Sequence, residues 1–341
     1  MRCRLSGVVV PMTFKRPLTA VAVALSASLA LIGCSSPSSS PSGSAAGTTI
    51  SVEDNFGTVT VKTPPASVVA TDNRTFQTLD DWGIKLSAAA VSLMPDTVSY
   101  KKDASIVDTG NHREPNLEKI VAANPDLVIV GQRYTGHRDK ILPLVPNAAV
   151  ITLDPREDKP LDEELKRQVN VLGEIFGKQA EAKKLGDDFD AAVKRVKDAW
   201  NPDDTVMALN SSGGNLGYIS PDPGRTLGEL VGFLGLKQAL TVDNAGKDHQ
   251  GDEVSVEAIA KANPTWVLVM DRDVAVAATE PGFKPAAEVI TGSEALKNVT
   301  AVKQKQIVYM PEDTYLNEGI QTYTEFLNSF ADALEAKNKK G

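Results

Sequence analysis

The residues best placed to do chemistry are arginines, and two of them stand at matching points of a repeat. The stretch LEKIVAANPDLVIVGQR, ending at Arg133, returns 139 residues later as VEAIAKANPTWVLVMDR, ending at Arg272. Each copy predicts a short helix, a stop at Asn-Pro, an apolar run too short for a helix, and an arginine where that run ends. Two such units, each offering one guanidinium from the carboxyl end of a buried strand, could clamp an anion, because ligands of open α/β sheets sit at that edge. Arg225 lies in a turn-rich loop, Ser-Pro-Asp-Pro-Gly-Arg-Thr at 220–226, that leads into a helix. Three guanidiniums converging on one cleft repel one another and call for an anionic counterpart. The plain alternative for each is a surface arginine or a salt bridge. His249, in the polar loop before the second repeat, and Tyr315, just past the last strand, could supply imidazole nitrogen and phenolate oxygen to ferric iron; exposed loop residues without a ligand are the alternative. Tyr134, Arg74 and Tyr218 are further cleft candidates.

Catalytic machinery is hard to find. The chain has three histidines (His112, His137 and His249), no HExxH, no GxSxG and no GxxxxGK, so the usual apparatus of metallohydrolases, serine hydrolases and nucleotide enzymes is missing. Gly213, Gly214 and Gly217 form a glycine-rich stretch that reads as a tight hairpin. Acidic residues number 44, so counting alone does not exclude a carboxylate pair. So few histidines also argue against a dedicated zinc or manganese cargo site.

The elements that must hold these residues alternate between apolar runs and helices. Short strands are expected at 59–61, 67–71, 86–91 and 149–153, with helices at 76–82 and 165–176. In the second half strands fall at 205–209, 216–220 and 306–310, with a helix packing Leu227, Leu230 and Leu234 and a last helix at 318–336. This is the α/β signature with parallel strands buried on both faces. Between the repeats Ala182, Leu185, Phe189, Val193, Val196 and Trp200 recur at spacings of three and four on a charged segment. That pattern predicts one long helix with a single apolar stripe, a spine joining two lobes. The expected organisation is a leader at 1–33, a tether at 34–50, a lobe at 51–178, the spine at 179–200, a second lobe at 201–336 and a frayed basic tail at 337–341.

The leader has Arg2, Arg4, Lys15 and Arg16 ahead of an Ala-rich apolar run, the pattern of a signal peptide, and Met12 is an alternative start. Leu-Ile-Gly-Cys at 31–34 resembles a bacterial lipobox, which implies diacylation of Cys34; an ordinary secretory signal is the alternative. Residues 35–49 are Ser, Pro, Gly, Ala and Thr throughout, too poor in apolar groups to pack. Two acyl chains would anchor the protein durably at a membrane. No cysteine follows Cys34, so no disulfide framework is available. Removing residues 1–33 leaves 32 basic against 44 acidic residues, a net charge of −12. That balance argues against nucleic acid as a partner.

Together the lipobox, tether, spine, the Gly110–Glu114 loop running into Pro-Asn-Leu-Glu-Lys-Ile, and the paired Asn-Pro units resemble the solute-binding lipoproteins of bacterial iron-siderophore ABC importers. The stretch from His249 through Arg272 to Tyr315 is similar to the subgroup taking catecholate and mixed catecholate-citrate siderophores. The resemblance covers residues 50–335. It implies two Rossmann-like α/β lobes with parallel-dominated sheets bridged by one long helix, no catalysis, no intrinsic cofactor, and an Fe(III)-siderophore as transported ligand. It further implies that Arg133, Arg225 and Arg272 surround the ferric complex, and that His249 and Tyr315 complete iron coordination when the siderophore leaves positions open. Gln250 intervenes between His249 and Gly251, where the subgroup places glycine directly after the histidine. Glu114, and Glu229 by a looser match, would dock on an ABC permease dimer served by a cytoplasmic ATPase. A monomer is expected. Haem or a corrinoid in the same fold, or a surface-anchored enzyme or structural protein on this scaffold, remain the alternatives.

Overall fold

The computed structural model describes residues 48–221, 224–242, 246 and 250–339. The leader, Cys34, most of the tether and His249 lie outside the described residues.

The chain opens on an antiparallel hairpin of β1 (Thr48–Asp54) and β2 (Gly57–Thr63). Strand structure thus reaches three residues into the expected tether, because Thr48, Thr49 and Ile50 pair with Thr63, Lys62 and Val61. β-Branched residues suit that pleated surface. Five strands then form a wholly parallel sheet: β3 (Val68–Ala70), β4 (Ala88–Ala89), β5 (Val107–Asp108), β6 (Leu127–Ile129) and β7 (Ala149–Ile151). Their order is β5-β4-β3-β6-β7, so the winding reverses between β3 and β6. Arg74 follows the first of these strands and Arg133 the second, which places both at the switch point where α/β sheets open a crevice.

The second lobe has β8 (Val206–Ser212), β9 (Asn215–Tyr218), β10 (Asp252–Glu253), β11 (Trp266–Asp271) and β12 (Ile307–Tyr309), in the order β10-β9-β8-β11-β12. β8, β11 and β12 are parallel, and β9 turns back on β8 through Gly213 and Gly214 at φ +60° and +74°. Left-handed φ at both central positions is what a two-residue hairpin of primed type requires.

The repeat is also a structural one. Helices Leu117–Ala122 and Val256–Ala262 are capped by Asn116 and Ser255, and each stops at a left-handed asparagine, Asn124 at φ +44° and Asn263 at φ +47°. Asparagine tolerates that conformation and proline then blocks further helix.

The spine runs Gln179–Ala199 and buries Ala182, Phe189, Val193 and Val196. It is not the only bridge. Helix Leu161–Phe176 and the C-terminal helix Ile320–Asn338 pack beside it, and Arg195 on the spine reaches Asn328 (2.8 Å), Asp332 (2.5 Å) and Glu335 (3.0 Å) on the latter. Phe330 meets the rings of Trp200, Trp266 and Phe326, and Phe189 stacks on Phe233. One apolar core therefore runs from the first sheet through these helices to one face of the second, while Met207, Leu209, Val267 and Val269 face a smaller cluster on its other side. The helix continues through Asn338, two residues into the expected tail, and Lys337 pairs with Asp204 and lies over the Trp266 ring.

Candidate functional site

A cavity of about 1030 Å³ opens between the lobes. Its first-lobe wall carries His112, Arg113 and Arg133, and its second-lobe wall carries Arg272 and Tyr315. Arg133 sits in a two-turn 3-10 segment, Gln132–His137, a few residues beyond β6; Arg272 opens the helix directly after β11. The two guanidiniums converge on one ring: Arg133 lies 4.7 Å from the Tyr315 ring centre and Arg272 5.1 Å from it. Cation–π attraction offsets part of the repulsion between like charges. Arg133 also donates to the Tyr315 carbonyl at 3.1 Å, and Arg272 pairs with Asp273 at 3.1 Å. Both line the cavity, and each has more N–H groups than these contacts occupy.

His112 is a residue that the sequence reading passed over as a count. Burial, then the positive charges of Arg133 and Arg113, hold its imidazole below the usual histidine range. Its carbonyl takes a bond from His137 Nε2 at 2.8 Å. The available signal was its place in the Gly110–Glu114 loop. Tyr134 is fully buried and supports that loop from beneath, its hydroxyl donating to the Gly110 carbonyl at 2.7 Å. Tyr218 is buried too, bonded to the Leu240 carbonyl at 2.8 Å. Neither tyrosine lines the cavity.

Carboxylates share the same cavity. Asp80 is taken up by the Ser99 N–H and hydroxyl, and Asp313 by the Thr97 hydroxyl at 2.5 Å, a bond that crosses between the lobes. Asp81, Asp96, Glu312 and Glu325 also line it.

Arg225 does not join the pair. Its guanidinium holds Glu318 at 2.8 and 3.0 Å, and Arg74 holds the same carboxylate at 3.1 Å while reaching Asp154 at 3.2 Å. Of the three arginines expected to converge, two line the cavity, because a buried carboxylate just ahead of the C-terminal helix holds the third. Burial alone would raise the Glu318 carboxyl, but Arg225 and Arg74 outweigh it and hold the group below its usual range. Asp72, fully buried, is pushed up to about 7 by burial and by the charge of Asp154. Glu229, the looser of the two expected docking acids, is half-buried against this cluster, its carboxyl raised by burial. Glu114 is exposed.

Residues 68–314 match the family described as periplasmic binding protein. The chain belongs to that family. Among relatives of the periplasmic binding protein are the petrobactin-binding protein YclQ of Bacillus subtilis (strain 168), 28% identical with 83% of this chain and 86% of the relative covered. The ferric-anguibactin-binding protein FatB of Vibrio anguillarum is also 28% identical, over 79% and 81% of the two chains. The crystal structure of YclQ superposes with a TM-score of 0.72 at 25% identity, covering 84% of this chain and 99% of that one. The bilobed α/β architecture with bridging helices is therefore the family fold. Among the described residues no group of three or more His, Cys, Asp or Glu is arranged to hold a metal ion. The family is one of solute-binding proteins without catalysis, and it implies an ABC transporter as the partner system.

Proposed function

We propose that this periplasmic binding protein captures an anionic ferric siderophore in the interlobe cavity and delivers it to an ABC permease for iron uptake. The observation that carries the reading is the Arg133–Tyr315–Arg272 stack, which brings one positive charge from each lobe to a single point of a cavity large enough for a wrapped metal complex. Catecholate oxygens stay charged while they bind iron and accept forked guanidinium bonds. The cargoes named for YclQ and FatB, petrobactin and ferric anguibactin, agree with that chemistry. Haem fits less well, because it wants an axial ligand among apolar walls and these walls carry charge at both ends. Where a siderophore leaves iron positions open, Tyr315 and His249 are the side chains proposed to fill them. Acylation of Cys34 would hold the protein outside the cytoplasm at the cell membrane, with Glu114 as the docking acid on the first lobe. Titration with ferric catecholate, ferric hydroxamate, ferric citrate and haem in parallel tests this. Saturable binding of the catecholate with the others much weaker is expected, and preference for haem would overturn it.

A further inference from the structure

Glu318 gathers side chains from both halves of the molecule. Arg74 and Gln132 reach it from the first lobe at 3.1 and 3.4 Å; Arg225 and Thr226 reach it from the second at 2.8 and 3.4 Å. Its side chain is 2% exposed, so the carboxylate depends on these partners. A buried charge that loses its partners is costly, and a fully bonded one fixes geometry.

Two features of the backbone point the same way. Gln132 and Thr226 both stand at positive φ, +46° and +56°, where side-chain-bearing residues are uncommon and a β-branched residue is strained. Each is the chain neighbour of an arginine, Arg133 and Arg225, and each donates to Glu318. Asp154, tied to Arg74, also accepts the Gln132 N–H at 2.6 Å. Backbone strain of this kind persists only where surrounding bonds over-determine it. Upstream, the Tyr315 carbonyl takes the Arg133 guanidinium, three residues before Glu318.

The geometry points to Glu318 as a positioning residue that sets the angle between the lobes and, through Gln132, aims Arg133 into the cavity. It touches no ligand on this account, and Arg225 serves it by completing the knot. The role deepens the anion-capture reading and rests on it for its consequence, though the lobe geometry itself does not.

The test uses the full chain carrying Glu318→Gln, which keeps shape and loses charge. For distance measurement Cys3 and Cys34 are replaced by Ser, and spin labels are placed on cysteines at the exposed positions Glu118 and Glu257, one on each repeat helix. The parent should give one narrow interlobe distance distribution and E318Q a broadened or displaced one. In parallel, affinity for a ferric triscatecholate probe should fall about tenfold or more in E318Q, with the salt dependence of binding unchanged because Arg133 and Arg272 keep their charges. A merely local stabilising role would lower the melting temperature without moving distance or affinity. If E318Q fails to fold, Arg225→Gln, which leaves the Arg74 pair in place, is measured in the same way. Parental distances and affinity in the variants would overturn the proposal. If the parent binds no ferric probe, the capture reading fails instead, and the distance distributions alone decide the role of Glu318.

Discussion

Arg133 and Arg272 should behave as ligand contacts and Arg225 as part of the scaffold. Replacing either of the first two by Ala removes a charge-assisted bond of about 1.5–3 kcal/mol, so affinity for a ferric catecholate should fall roughly 10- to 100-fold, and the salt dependence should weaken. Arg225→Ala should lower stability and leave that salt dependence alone. Equal salt effects in all three variants would contradict the distinction. Asp72 gives a second residue-scale expectation. Its folded value near 7 lies above the ordinary 3.8, so the folded chain holds a proton that the unfolded chain releases. The stability tied to that proton is complete below about pH 4 and is lost as pH rises through 7. Asp72→Asn should flatten that decline and raise stability at pH 8 by roughly 1–3 kcal/mol, read by thermal melts across pH. A pH profile identical to the parent's would count against it. The repeat made Arg133 and Arg272 legible, because register carries spatial equivalence. Arg225 was visible but its partner was not: Glu318 reads in sequence only as the start of a helix, and its burial depends on long-range packing.

At the scale of elements, the turn after β6 depends on Gly131. A Cβ there would collide with Asp72 Oδ2 and lie 3.0 Å from Asp154 Oδ1, so Gly131→Ala must displace either the Asp72 carboxylate or the segment that carries Arg133, and we expect the segment to move. The expected cost is about 1–3 kcal/mol, with a loss of ligand affinity seen in the same titration. Unchanged affinity would mean that the segment relaxes without moving the arginine. The helices and strands of both repeats, the hairpin at Gly213-Gly214 and the spine could be read from periodicity and turn residues. The bridging role of the C-terminal helix could not, since its apolar stripe says that it packs and not against what. Lys337 illustrates the same limit: a terminal lysine reads as solvated until Asp204 and Trp266 are seen beneath it.

At the scale of the whole molecule, two lobes share one core among the described residues, and that arrangement limits how far they can part. Phe330 is fully buried where the C-terminal helix meets Trp200 and Trp266. Phe330→Ala should cost roughly 3–5 kcal/mol, measured by urea unfolding, and should widen interlobe distances as well as lower the midpoint. Two separate transitions in the parent would contradict a shared core. The central claim is that a pair of arginines, one from each lobe, captures an anionic ferric complex. It is tested most directly by titrating a ferric catecholate into the parent and the Arg133→Ala/Arg272→Ala double variant, following quenching of tryptophan fluorescence. Saturable submicromolar binding by the parent and its loss in a folded double variant is the predicted result; equal binding by both proteins would contradict the account.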